Sequence, residues 1–186
     1  EFMYARNTHN AAVSPEEVSL LLFASLEPKL KLDAAGHSNL SSALHGMSYQ
    51  PRGKEVLRNH AIVRKLLVRY IAEGNGGTDY NGLYLVANLE LKEGADIARK
   101  IIARTDRDPL ARSMAIAILG KLGDKSDIPN LVAQLSDQSQ MGETQLEKGQ
   151  RLRTQVRDVA LVSLVQLTGQ ALSDYNFTYL KMLGGN

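Results

Sequence analysis

Two stretches of this chain repeat each other at fixed offsets, and that constrains its fold more than any single motif. Residues 118–135 read ILGKLGDKSDIPNLVAQL, and residues 87–104 read ANLELKEGADIARKIIAR. At an offset of 31, Leu91 meets Leu122, Asp96 meets Asp127, Ile97 meets Ile128 and Ile101 meets Val132. Glu93 meets Asp124, which keeps an acid in the turn. At an offset of 45, Arg112-Ser113-Met114-Ala115-Ile116 meets Arg157-Asp158-Val159-Ala160-Leu161. Leu119 then meets Leu164, and Leu122 meets Leu167. The extra length of the second offset lies in one polar stretch, Ser136 to Gln150, which reads as an inserted loop. Each unit is helix, tight turn, helix. A unit of that kind cannot bury both apolar faces alone, so neighbours must stack into a continuous core. The repeat therefore predicts that Leu119, Leu122, Ile128 and Val132 are buried.

The rest of the chain reads as helices joined by turns. Ser14-Pro15-Glu16-Glu17 is a start signal, with Ser at the cap, Pro at the first helical position and an acid three residues on. Val18, Leu21, Leu22 and Leu26 follow at helical spacing, and Pro28 ends the segment. Leu30 to His37 reads as a connection, Ser38 to Gly46 as a short helix, and Gln50-Pro51-Arg52-Gly53 as a break. Lys54 to Glu73 is the strongest helix by period, with Arg58-Asn59-His60 as a kink or a boundary between two helices. A loop rich in Gly covers 74–82, a flexible connector with no phosphate-binding fingerprint. Helices then follow at about 83–91, 95–104, 109–122, 127–136 and 154–168 by the same periodicity. Tyr175 to Leu180 reads as a last short helix. No segment alternates with a period of two, so no strand is expected. Glu1-Phe2 ahead of Met3 reads as a cloning scar, and residues 1–13 as a disordered lead-in.

The strings Pro109-Leu110-Ala111-Arg112-Ser113-Met114-Ala115-Ile116, Leu119-Gly120-Lys121-Leu122-Gly123-Asp124 and Ile128-Pro129-Asn130-Leu131-Val132 resemble a HEAT repeat. The likeness is to the short bacterial type first noticed in phycobilisome lyases. Ala160 to Leu167 repeats the first-helix pattern, with Thr168-Gly169 in place of the Gly-Asp turn. Residues 83–104 match more loosely. The ending Leu167-Thr168-Gly169-Gln170, with Asp174-Tyr175, is similar to the tail of planctomycete HEAT proteins. The resemblance implies an all-α fold: an α-solenoid, a right-handed, armadillo-like superhelical stack of antiparallel helix pairs, behind an irregular helical N-terminal part at 14–74. The array would cover 83–183, in pairs 83–104, 109–136 and 154–183. It further implies a scaffold that binds other macromolecules. The second helix of each pair would line the concave face, and there Arg99, Ala103, Asn130 and Gln134 are the expected partner contacts.

Composition narrows the chemistry. The chain has 186 residues, 44% of them hydrophobic but only 5% aromatic, with no Trp, so aliphatic side chains must fill the core. It has no Cys, which excludes disulfides, thiolate metal sites and Cys nucleophiles. His9, His37, His45 and His60 show no metal-ligand spacing, and no Gly-x-Ser-x-Gly is present. The paired acids all fall at helix starts and turns, where they favour the next helix. No catalytic residue, metal or cofactor is expected, and the chain reads as a non-enzyme. Its longest apolar run, Met114 to Leu119, is far short of a membrane span. The cytoplasm is the default compartment, with export left open at the N-terminus.

One charged feature stands out. At about 100° per residue, Lys54, Arg58, Lys65 and Arg69 fall within about 60° of one another on a single helix. Such a stripe can grip phosphates, which makes a nucleic-acid-binding repeat protein the alternative to a protein scaffold. It ranks second because the net charge is only +2 and stacking aromatics are scarce, Tyr70 and Tyr84 reading as core. A lyase-type enzyme subunit is the further alternative, on the resemblance alone.

Overall fold

A computed structural model describes residues 14–30, 32–74, 79–104, 106–145 and 151–175. They form nine α-helices and one two-stranded hairpin among the described residues, so the chain is all-α in class. They fall into two compact units, one ending at Gly94 and the other beginning at Ala95. The expected lead-in at 1–13 and the last short helix at 176–180 lie outside the described residues. No helix among the described residues is long and apolar enough to cross a membrane.

The first unit holds α1 (Pro15–Leu26), α2 (Ala34–Tyr49), α3 (Pro51–Asn59), α4 (Ala61–Ala72) and α5 (Asp79–Leu89). The Ser14 hydroxyl accepts the Glu16 and Glu17 N–H groups and so caps α1. Asp33 caps α2 by accepting the Gly36 N–H at 2.7 Å. This helix begins four residues before the one read from apolar spacing, because its first turn, Ala34-Ala35-Gly36-His37, carries no large apolar residue. Pro51 starts α3 rather than a loop, as a first helical residue with no N–H to satisfy. His60 ends α3 in an extended conformation, and its ring Nδ1 accepts the Val63 N–H to cap α4. α1 packs on α4, α2 on α3 and α5, and α3 on α4 and α5. Leu22, Leu44, Leu57, Leu67, Tyr70, Leu83 and Leu89 are fully buried. The Tyr70 hydroxyl finds no hydrogen-bond partner there, and burial pushes its pKa up to about 12.

The second unit holds all of α6 (Gly94–Ile102) after Gly94, then α7 (Pro109–Leu122), α8 (Ile128–Ala133) and α9 (Val156–Leu167). α7 begins and ends where the repeat places it, with Asp108 capping Leu110 and Gly123 following. It packs on α9, which also meets α8. The two helices come close together at Gly120. A β-carbon there would lie 2.7 Å from Ser163 Cβ and 2.8 Å from Ser163 Cα. Ile116, Leu119, Leu131, Val156, Ala160 and Val165 fill the core between them.

The repeat register slips in α8. Leu119 is fully buried as expected, and Leu122 and Ile128 are half-buried. Val132, however, is 50% exposed, and Leu131 takes the core position. A 3-10 turn over Lys125–Asp127 precedes α8. That turn advances about 120° per residue against about 100° in an α-helix, so three residues rotate the following face by about 60°. α6 has no such turn, and Ile101, the counterpart of Val132, is buried.

The expectation of no strand fails in the stretch read as a polar loop. Gln140–Gln145 (β1) pairs antiparallel with Arg151–Gln155 (β2), with an irregularity at Gln140/Gly142. Periodicity could not reveal these strands, because neither face carries a run of apolar residues; only Met141 and Leu152 are large and apolar. The backbone ladder and opposed charges hold them. Glu143 and Arg153 are direct partners, 3.0 Å apart, and Arg151 also reaches Glu143 at 3.1 Å. The base is tied to α7 by Arg112, which pairs with Asp137 at 3.0 Å and donates to Ser139.

Candidate functional site

The four expected contact residues differ in how far the fold engages them. Arg99, on the last turn of α6, is drawn into a cluster of carboxylates. Its Nε and Nη2 donate to the two oxygens of Asp127 at 2.7 and 2.9 Å, and Nη1 donates to Asp96 at 2.6 Å. Asp124 lies 3.7 Å away. Asp127 is 1% exposed and also accepts the Asp124 N–H, closing a capping box around the 3-10 turn. The Arg99 guanidinium holds the Asp127 carboxyl below the usual carboxylate range, and Asp127 in turn raises the guanidinium. This cluster fastens α6 to the turn before α8, a structural task that leaves Arg99 little freedom for a partner. Ala103 is exposed just past α6, Asn130 is exposed on α8, and Gln134 is half-buried.

The outer face of α8 is the more telling feature. Ile128 to Ser136 contains no charged residue. Pro129, Val132, Ala133 and Ser136 recur at i, i+3, i+4 and i+7 and are all exposed, so the solvent side of this segment is uncharged and largely apolar. Leu135, 38% exposed, borders it, and Asn130 stands on the other side. Sequence reasoning had Val132 inside. The signal that pointed the other way is the run of nine residues without charge, too short to need such a run for a core.

The basic stripe is divided. Lys54 and Arg58 belong to α3, and Lys65 and Arg69 to α4, with the chain broken at His60. The single-helix geometry that set four cations on one face therefore does not exist. Arg58 pairs with Glu90 at 3.4 Å and Arg69 with Glu73 at 2.6 Å, whereas Lys65 is exposed and Lys54 half-buried.

Tyr84 is not a core residue. It sits half-buried on α5 at the centre of an aromatic group formed with α2. The His45 ring stacks on it with centroids 5.0 Å apart and 25° between planes. Tyr49 and Tyr80 lie tilted at 6.1 and 6.4 Å. The Tyr49 and Tyr84 hydroxyls are hydrogen-bonded, and Tyr49 is 65% exposed. One turn along, Asn88 donates to the Ser48 carbonyl and hydroxyl, fixing the register of the two helices. Tyr80 and Tyr84 are one helical turn apart on α5, but Tyr49 comes from α2, so sequence spacing shows only part of the group.

Among the described residues no three His, Asp or Glu side chains are grouped to hold a metal ion. No protein-family model, no curated protein and no solved structure matches the chain.

Proposed function

We propose that the chain is a non-catalytic scaffold of HEAT-like helix pairs that binds a protein partner through the outer face of α8. The observation that carries this reading is the uncharged surface of Pro129, Val132 and Ala133, with Leu135 beside it. Interface cores are depleted in charge, and a surface helix normally turns its polar side outward. Here the polar residues Asn130 and Gln134 flank the apolar ones, as at a rim. The offsets of 31 and 45 and the likeness of 109–132 to a HEAT repeat support the solenoid part of the reading.

A photo-crosslinking side chain at position 133 tests it. The expected result is an adduct with one defined protein, lost in Val132→Glu and kept in Leu30→Glu, an exposed apolar site on the other unit. Both variants should keep the parent helix signal, because both positions are exposed. An adduct that survives Val132→Glu, or no adduct above that of a photo-group at exposed Lys65, would refute the reading.

A further inference from the structure

Three of the seven tyrosines of a chain that is only 5% aromatic meet at one place in the first unit. His45 stacks on Tyr84, and one turn on Ser48 meets Asn88, so α2 and α5 run in the same direction. Tyr80, Tyr84 and Tyr49 therefore follow one another along the two helices as a row. The outer rings are inclined to that of Tyr84 by 42° and 45°, so the row is ribbed rather than flat, with a notch on each side of the central ring. The outer centroids lie 6.4 and 6.1 Å from the central one. The two notches are thus no further apart than two residues of a polyproline II helix, about 6 Å of rise.

The helices that carry the rings are uncharged. α2 has no Asp, Glu, Lys or Arg, and α5 has none from Tyr80 to Leu89. The exposed positions of α2 that share a face with Tyr49 are Ala35, Ser38, Asn39, Ser42 and Gly46, none large enough to overhang its ring. The Tyr49 and Tyr84 hydroxyls bond to each other, which engages one of their two protons and leaves the second for an outside acceptor.

We propose that this row binds an uncharged, proline-rich segment of a partner protein in the polyproline II conformation. Its pyrrolidine rings fill the notches beside Tyr84, and one of its carbonyls accepts the spare hydroxyl proton. Rows of aromatic grooves recognise that helix, whose shape is already set before binding. Its carbonyls are unbonded and its prolines bring no N–H, which suits a surface that offers a donor. A nucleic acid would need cations for its phosphates, and neither ring-bearing helix supplies one. The site shares no residue with the α8 face and does not rest on it.

The test uses the full chain and fluorescein-labelled decaproline, followed by anisotropy, with a Gly-Ser peptide of equal length as control. Saturable binding of decaproline alone is expected. Its affinity should stay within about twofold between roughly 0.05 and 0.5 M salt, because no ion pair contributes. Tyr49→Ala and Tyr80→Ala should each weaken it at least about fivefold, the loss that marks an anchoring residue. Tyr49 is open to solvent, so its Ala variant keeps the fold whatever the fate of half-buried Tyr80. Tyr49→Phe with Tyr84→Phe keeps the rings but removes both hydroxyls, and should weaken binding about two- to tenfold, as for loss of one hydrogen bond. No binding of decaproline at about 1 mM, equal binding of the Gly-Ser peptide, or Tyr49→Ala behaving as the parent would overturn the proposal. So would oligothymidylate, maltoheptaose or a trimethylated lysine peptide bound through Tyr49 while decaproline stays free. Val132→Glu should leave decaproline binding untouched, which separates this outcome from that of the α8 face.

Discussion

The contact between α7 and α9 can be probed by one methyl group. Gly120→Ala places a β-carbon 2.7 Å from Ser163 Cβ and 2.8 Å from its Cα, where ordinary carbon contacts need about 3.5–4.0 Å. The neighbour is partly backbone, so a rotamer change cannot relieve it and the helices must separate by close to an ångström. Overpacking of that kind costs about 1–3 kcal/mol. Against it stands the gain of Ala over Gly inside a helix, about 0.8–1 kcal/mol. The net expectation is a loss of up to about 2 kcal/mol. Gly46 in α2 supplies the control, since its position is also helical but nothing lies within 4 Å of the added carbon. Gly46→Ala should stabilise by about 0.5–1 kcal/mol. Urea unfolding followed by far-UV circular dichroism separates the two. With a slope of about 2 kcal/mol per molar, the midpoint should fall by up to about 1 M for Gly120→Ala and rise by about 0.25–0.5 M for Gly46→Ala. Each variant should act on the transition of its own unit. If Gly120→Ala raises the midpoint as Gly46→Ala does, the two helices do not meet at Ser163 and the packing described for the second unit is wrong.

Three further outcomes are expected. Tyr70→Phe should leave stability unchanged or raise it by about 1 kcal/mol, because the hydroxyl it removes is buried without a partner; a clear loss in urea unfolding would mean that the hydroxyl is bonded. Arg112→Ala should cost about 3 kcal/mol and speed amide exchange in β1 and β2, since it strands Asp137, 15% exposed, beneath the hairpin. Asp127 should tie stability to pH in acid. Its folded pKa is depressed, so its contribution is complete above the unfolded value of about 3.9 and is lost as pH falls through the lower folded value. Asp127→Asn should therefore be less stable at neutral pH and show a shallower fall in acid; equal slopes for the two proteins would contradict the Arg99 pairing.

Local signals made part of this fold legible. Pro109 after Asp108, and Gly123 after a periodic apolar run, bound α7 at both ends because cap and breaker residues act within one turn. His60 was readable only as an interruption, since a capping ring nitrogen has no sequence spacing of its own. Repeat alignment located α8 but set its face wrongly: alignment counts residues, whereas burial depends on accumulated rotation, and the 3-10 turn changes the second without the first. The hairpin escaped notice because its pairing is carried by backbone groups and by Glu143 with Arg153, ten positions apart. The candidate sites were less legible still. Arg99 looked available because its Asp127 partner lies 28 residues away, and the Tyr49–Tyr84 contact spans 35. Such pairs are products of the fold, invisible until the helices that carry them are packed.

The hairpin has one consequence for how this chain tolerates change. Gln140 and Gln155 are opposite partners, so the polypeptide departs and returns about one strand spacing, some 5 Å, apart. Everything between them is topologically a side branch. Its length is uncoupled from the path that joins α8 to α9, and each doubling of a flexible branch costs only about 0.6 kcal/mol in closure. The place between Gln145 and Arg151 is therefore a natural port for grafting. A reporter protein whose own termini are adjacent should ride there while α7 and α9 keep their packing, anchored from below by the Arg112 and Asp137 pair.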